Sequence, residues 1–307
     1  MKKVFAINGG AGRVLAALPA LEKYYDKNGD NFYILSEGGL EFFLGNKKLQ
    51  NLTYDMTSKG VFENIIKPND LISPEPYRNH YYYNQKKNLM ETFDYLINGS
   101  EDHSDLGRPS IYLTKTEELQ SLEAVTRAKE EKRKKHTIVF QPFGRSSMHN
   151  NVSQIVVDQT SRSLNVETYL KIVNNLAKDY NIIYFGEHML SEDVNSFKCQ
   201  TNLRIWSGII EYSDYFIGCD SVGQHMAYSF NKPGTVILGS TFAENITYPK
   251  HFQILKRKNH SVMYSPIRIQ NIDSDLADRY NDTCMDFTDK EIDDLIQKIR
   301  SDISKKL

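Results

Sequence analysis

Cysteine is scarce in this chain, with three among 307 residues, at positions 199, 219 and 284. An odd, scattered set without metal-ligand spacing excludes a disulfide framework and points to a reducing compartment. Long hydrophobic runs are missing too: nothing approaches the about 20 apolar residues that a membrane helix needs. The opening Met1-Lys2-Lys3-Val4-Phe5-Ala6-Ile7 reads as a short strand, since a secretory leader has a longer apolar region and a cleavage site. The expectation is a cytoplasmic protein in which the Asn-X-Ser/Thr triplets are chance matches. Net charge is nearly absent, at −1, so no overall field draws the chain to nucleic acid or anionic membrane. No Gly-Lys-Ser/Thr follows the N-terminal glycines, which excludes a Walker loop.

What is present is ordinary for a globular protein: 25% charged and 40% hydrophobic residues, over a length sufficient for two domains. The most informative stretch is Cys219-Asp220-Ser221-Val222-Gly223-Gln224-His225-Met226-Ala227. It follows the apolar run Tyr215-Phe216-Ile217-Gly218 and precedes Asn231-Lys232-Pro233 and a second apolar run over 234–239. The pattern is strand, polar turn, short helix, strand. The carboxyl end of a parallel strand is where such sheets bind ligands. A helix starting there offers backbone N–H groups and a positive dipole end that suit a phosphate. Asp220 and Ser221 can cap this helix, and His225, one turn further in, can point back at the same ligand.

The rest of the chain reads as two halves built alike. The first has a strand over 4–7, the glycine turn Gly9-Gly10-Ala11-Gly12, a helix over 13–25 and a strand over 32–36. From about 46 to 110 it is irregular and rich in Tyr, Asn and Pro. A charged helical stretch over 117–135 ends in Lys129-Glu130-Glu131-Lys132-Arg133-Lys134-Lys135, without an apolar face, and reads as a solvated connector. The second half restarts with a strand over 137–141 and a long polar loop over 142–165. A helix over 166–178 follows, with Tyr169, Ile172, Val173 and Leu176 near helical spacing. Strands over 182–185, 203–206, 215–219 and 235–238 complete a five-strand alternation, with short helices between, one starting at Ser191. The last helix, about 289–304, carries Ile292, Leu295, Ile296 and Ile299 on one face. Alternation of short apolar strands with helices implies α/β architecture with parallel sheets covered on both faces. Two doubly wound halves facing across a cleft are the simplest arrangement.

The glycine turn has more than one reading. Gly10-Ala11-Gly12 after a strand, with Glu37 closing the next strand, partly fits a dinucleotide fingerprint, but Leu15 stands at its third glycine. The plain alternative is a tight strand-to-helix turn.

Four places resemble the heptosyltransferase family of glycosyltransferases. The opening Gly12-Arg13-Val14-Leu15-Ala16-Ala17-Leu18-Pro19-Ala20-Leu21 is similar to that family's Gly-Asp-Val-Leu start with its later Leu-Pro-Ala-Leu. Ile138-Val139-Phe140-Gln141-Pro142-Phe143-Gly144 resembles its strand-Asn-Pro-Gly entry into the second domain. Ser161-Arg162-Ser163-Leu164 resembles its Lys/Arg-aromatic-Pro segment. Asp220, with His225 five residues on and Lys232-Pro233 beyond, resembles its Asp-Thr/Ser-Gly-x-x-His…Lys-Pro nucleotide-sugar motif, at matching spacing. The resemblance is patchy between about 40 and 135.

That resemblance implies a GT-B fold of two Rossmann-like domains, an acceptor-side domain over 1–135 with its connector and a nucleotide-sugar domain over 136–307. The last helix can pack back on the first domain. It implies an inverting transfer of a hexosyl, heptosyl or pentosyl group from a nucleotide-sugar to an acceptor hydroxyl of a glycan or lipid-linked sugar. No metal and no further cofactor is expected. Arg162 matches a basic residue that pairs with the diphosphate, a task suited to a guanidinium. Glu187 stands near a donor-binding Glu of the family, and Asp220, Ser221, Val222, Gly223 and His225 would surround diphosphate and sugar. Gly10 and Gly12 of the first turn join this donor-binding set. Gln141, Gly144 and Arg145 are candidate pocket residues by their place at a strand's carboxyl end.

One departure matters. Where the family has an Asp general base, this chain has Arg13, which stays protonated. Either another group takes the proton or Arg13 holds the leaving group as a cation, as arginine does in fucosyltransferase-like GT-B enzymes. The base candidates are Glu37, Asp102, His103 and Asp105, each of which also reads as a solvated loop residue. His80 beside Tyr81-Tyr82-Tyr83 offers an acceptor platform or a packing cluster, and Trp206 a base contact or a packing group. Two further functions stay open: a phage-type glycosyltransferase acting on a hydroxylated base in DNA, and a nicotinamide oxidoreductase or non-catalytic nucleotide-sugar binder.

Overall fold

The computed structural model describes residues 1–145, 147–150, 155–158, 160–188, 190–257 and 283–307. The chain divides into two compact units, Met1–Thr114 and Lys115–Leu307.

In the first unit, β1 (Lys3–Ile7), β2 (Phe32–Ser36), β3 (Thr53–Asp55) and β4 (Asp70–Ile72) form one parallel sheet in the order β3-β2-β1-β4. The central β1 is apolar almost throughout, as a strand covered on both faces requires. Val4, Ala6 and Leu35 face Val61 and Ile65. On the other side Phe5, Tyr24 and Phe32 meet edge to face, at ring distances of 4.9–5.9 Å. Helix α1 (Ala11–Asn28) covers that side and packs against α3 (Leu89–Asn98). The short α2 (His80–Tyr83) lies between them in the chain. The segment expected to be irregular therefore holds two strands and a well-formed helix. Helix α3 opens with a capping box in which Asn88 and Glu91 exchange side-chain and backbone bonds, and it ends on left-handed Gly99.

The second unit begins with α4 (Lys115–Lys132) and continues through β5 (Thr137–Gln141), the antiparallel pair β6 (Ser147–Asn150) and β7 (Ile155–Asp158), and α5 (Val166–Leu176). Then come β8 (Asn181–Tyr184), β9 (Ser196–Lys198), α6 (Leu203–Tyr212), β10 (Tyr215–Gly218), α7 (Val222–Ser229), β11 (Gly234–Leu238), α8 (Ala243–Ile246), β12 (Gln253–Lys256) and α9 (Asp289–Lys306). Its main sheet is parallel, in the order β12-β11-β10-β5-β8-β9. Read by chain position, that is the doubly wound order 3-2-1-4-5-6.

Several expectations are corrected here. Residues 203–206 open a helix, because the Asn202 side chain accepts the Ile205 N–H at 3.0 Å and caps it. The strand between β8 and α6 is Ser196–Lys198, where a helix from Ser191 was expected. Helix α4 belongs to the second unit, so the boundary lies near 114 rather than 135. Its buried stripe, Ser121, Val125 and Ala128, is made of small side chains that leave little amphipathic signal. It packs on α6, where Arg204 makes a bidentate pair with Glu117. Helix α9 buries Ile292, Leu295, Ile296, Ile299 and Ile303 and packs on α5 and β11 of its own unit. Trp206 lies in α6, buried and stacked on Phe185 at 4.3 Å. Among the described residues no helix is long and apolar enough to cross a membrane.

Candidate functional site

In the second unit β5 and β10 are neighbours, yet the chain leaves β5 toward β8 on one side and β10 toward β11 on the other. This is the switch point at which an open parallel sheet has a crevice beyond its strand ends. Gln141 ends β5 and spans it. Its Oε1 accepts the Gly223 N–H at 2.9 Å, and its Nε2 donates to Ser221 Oγ at 3.2 Å. Gln141 thus caps α7 from a neighbouring strand. Ser221 is the N-cap residue but makes no side-chain cap bond of its own, contrary to expectation. A Cβ at position 223 would overlap Gln141 Oε1 and the Phe216 ring, so this approach requires glycine.

The loop after β7 brings in the cation. Asp158 accepts from the backbone N–H of Thr160 at 2.8 Å and of Ser163 at 3.0 Å, and from both their hydroxyls. Burial pushes the Asp158 carboxyl up, but these bonds outweigh it and hold the pKa below the usual value. The carboxylate therefore fixes the turn. Arg162 Nε donates to Thr160 Oγ1 at 2.9 Å, and Arg162 Nη1 lies 3.9 Å from Asp220 Oδ2. Ser163 Oγ accepts the Gly144 N–H at 2.9 Å. A Cβ on Gly144 would lie 3.8 Å from both Ser163 Oγ and Ser221 Oγ. Gln141, Gly144, Arg162, Asp220, Ser221 and Gly223 are therefore one cluster, assembled from three separate stretches of chain. Val222 opens α7 beside them. Arg145 and Glu187 stand exposed, in the turn before β6 and just past β8.

His225 is buried, and its Nδ1 is 2.7 Å from the Tyr248 hydroxyl, whose ring stacks on Tyr228 at 3.7 Å. Burial lowers its pKa to about 4, against the opposing pull of Asp220. It is a neutral ring at pH 7, held from one side. Burial also pushes the Cys219 thiol well up, leaving it unreactive.

The first unit engages its candidates in ion pairs. The Arg13 guanidinium donates to Glu75 Oε2 at 2.9 Å and to the Pro74 carbonyl at 3.3 Å, and lies over the Tyr77 ring at 5.0 Å. Asn8 Nδ2 reaches the same Glu75 oxygen at 3.5 Å. Arg13 follows β1 and Glu75 follows the adjacent β4, so the pair sits at the carboxyl edge of that sheet. Sequence reasoning missed Glu75, whose only trace was its place between two prolines. In the glycine turn Gly9 has φ 90°, the conformation that demands glycine, and its N–H donates to Glu37 at 2.7 Å. Gly10 is the N-cap of α1, and Gly12 lies inside the helix.

Asp102 accepts from the Ser104 N–H and hydroxyl, both at 2.9 Å, and the backbone bond leads in lowering its pKa. This weakens it as a base. His103 Nδ1 is 2.7 Å from the fully buried Asp94, and its Nε2 is 2.6 Å from Lys87 Nζ. An ammonium only donates, so Nε2 accepts and Nδ1 carries its proton toward Asp94. Lys23 ties Asp94 to Asp105 at 3.0 and 2.6 Å. The 99–105 loop is thus bound down on α1 and α3. In the tyrosine run Tyr82 is buried against Tyr77, and Tyr81 packs on His80 and Tyr95. Among the described residues no group of three or more His, Cys, Asp or Glu is arranged to hold a metal ion.

No protein-family model matches the chain, and no curated protein matches it in sequence. Solved structures do match in fold. A glycosyl transferase family 9 protein from Veillonella parvula DSM 2008 has TM-score 0.67 at 12% identity, covering 99% of this chain and 97% of that one. The iron-containing dodecameric heptosyltransferase TibC, of enterotoxigenic E. coli H10407, was solved with ADP-D-beta-D-heptose. It has TM-score 0.56 at 10% identity, covering 98% of this chain and 77% of that one. The E. coli heptosyltransferase WaaC with ADP has TM-score 0.54 at 12% identity, covering 83% and 93%. With two parallel sheets and their helices, the chain has the heptosyltransferase-like GT-B fold of these glycosyltransferases.

Proposed function

We propose that the protein is an inverting glycosyltransferase that moves a sugar from a nucleotide-sugar donor to an acceptor hydroxyl without a metal ion. The observation that carries this reading is the cluster at the β5/β10 switch point. There a buttressed guanidinium, Arg162, stands beside the start of α7, where a departing diphosphate would gain both a cation and a helix N-terminus. In the reaction the acceptor oxygen bonds to the anomeric carbon as that carbon's bond to the diphosphate oxygen breaks. The diphosphate leaves with the electron pair. The acceptor hydroxyl gives up its proton to solvent.

Nucleoside diphosphates should stabilise the protein with or without a chelator. At 100 times the dissociation constant the gain is roughly 2.7 kcal/mol. ADP is the first to test, since TibC and WaaC hold ADP-heptose and ADP. A melting temperature that responds to NAD but to none of ADP, UDP and GDP overturns the reading, and loss of the ADP response in EDTA overturns the metal-free part.

A further inference from the structure

Ser161 has φ 52°, in the left-handed region that a residue with a Cβ rarely enters. It directly precedes Arg162 in the turn between β7 and α5. A conformation of this kind persists only where its surroundings impose it, and such places gather at working sites. Asp158 grips the turn by its donors, the backbone N–H groups of Thr160 and Ser163. The carbonyls of the turn are gripped by a different element. Ser240, in the turn after β11, donates its hydroxyl to the Thr160 carbonyl at 2.7 Å and its backbone N–H to the Ser161 carbonyl at 3.2 Å. The Cys284 thiol reaches the same Ser161 carbonyl at 3.4 Å. A Cβ on Gly239 would overlap that carbonyl, so the two turns meet backbone to backbone.

Ser240 thus commits both of its donors to the two carbonyls immediately before Arg162. It is 5% exposed, so water does not readily take over the bond its hydroxyl makes. The stretch that carries Arg162 has no strand in the main sheet, because β6 and β7 pair only with each other. Ser240, by contrast, follows β11, which is buried along its whole length and hydrogen-bonded between β10 and β12. The two bonds from Ser240 therefore tie a loop outside the sheet to a strand inside it. With its backbone fixed on both sides, Arg162 keeps Nη1 at 3.9 Å from Asp220 Oδ2. The cost of ordering that backbone is then met during folding and not when a ligand arrives.

We propose that Ser240 is a positioning residue for Arg162: its clamp on the Thr160 and Ser161 carbonyls sets the guanidinium where a diphosphate meets it. The proposal rests on the glycosyltransferase reading above. Its test is a double-mutant cycle, in which the best bound of ADP, UDP and GDP is titrated by calorimetry into the wild type, Ser240→Ala, Arg162→Ala and the double variant. Ser240→Ala should weaken that diphosphate about 3- to 10-fold when Arg162 is present and less than about twofold when it is not. A serine that merely supports the fold gives the same loss in both backgrounds, and that result overturns the proposal. So does the absence of loss in either background, which would leave the turn held well enough by Asp158. Melting temperatures of the four proteins accompany the titrations. If Ser240→Ala does not fold, Ser240→Cys carries the same cycle, since a thiol is of similar size but a weaker donor. If no diphosphate binds the wild type, the glycosyltransferase reading itself fails and takes the role of Ser240 with it, a result distinct from the others.

Discussion

Arg162 is fastened at Nε by Thr160, in a turn that Asp158 ties together, and its Nη1 reaches toward Asp220. A guanidinium held in this way loses little side-chain entropy when a diphosphate arrives. Arg162→Ala should weaken diphosphate binding by about 1.5–3 kcal/mol, the range for a hydrogen bond to a charged group, and leave the fold intact. Calorimetry showing unchanged ADP affinity would remove Arg162 from the site. His225 makes a second prediction, about pH. Its pKa falls from 6.5 in the open chain to about 4 in the fold. A depressed pKa means that the unfolded chain binds the proton more tightly, so stability is full above about 6.5 and declines as pH falls toward 4. At pH 5 the difference is about 2 kcal/mol. Urea midpoints at pH 7 and pH 5 should show this loss in the wild type and a smaller one in His225→Gln; equal losses would shift the cause to other groups.

At the scale of elements, α4 yields the sharpest expectation. It was legible as a helix from its charge pattern but not as part of a core, because Ser121, Val125 and Ala128 are too small to mark a face. A chain of residues 115–307 should unfold cooperatively and bind nucleoside diphosphate. One of residues 136–307 loses α4, uncovers α6 and leaves the buried Arg204 without Glu117. It should be about 3–5 kcal/mol less stable or insoluble, the usual consequence of breaking a buried ion pair. Equal stability of the two fragments, measured in urea, would return α4 to the role of a connector. The strands that could be read beforehand, β1, β2, β5, β8, β10 and β11, are short, largely apolar runs. The three-residue strands β3, β4 and β9 could not, since their pairing depends on a neighbour rather than on composition. The run at 203–206 is compatible with either period, and a cap one residue upstream decides it.

For the molecule as a whole, alternation pointed to two parallel sheets, but strand order is a property of space. Only the order β12-β11-β10-β5-β8-β9 places the crevice between Gln141 and Asp220. The candidates with a local signature, Gln141, Gly144, Arg162 and the Asp220 turn, do converge. Glu75, which had none, needed coordinates: it is recognised through Arg13, sixty-two positions away. Trp206 has a consequence of a different kind. It is the chain's single tryptophan, it lies flat against Phe185, and both rings belong to the second unit. Indole emission is therefore an optical reporter confined to that unit, whereas far-ultraviolet dichroism sums over both. Following the two signals through one denaturation distinguishes units that melt as one body from units that melt in turn, with no label added.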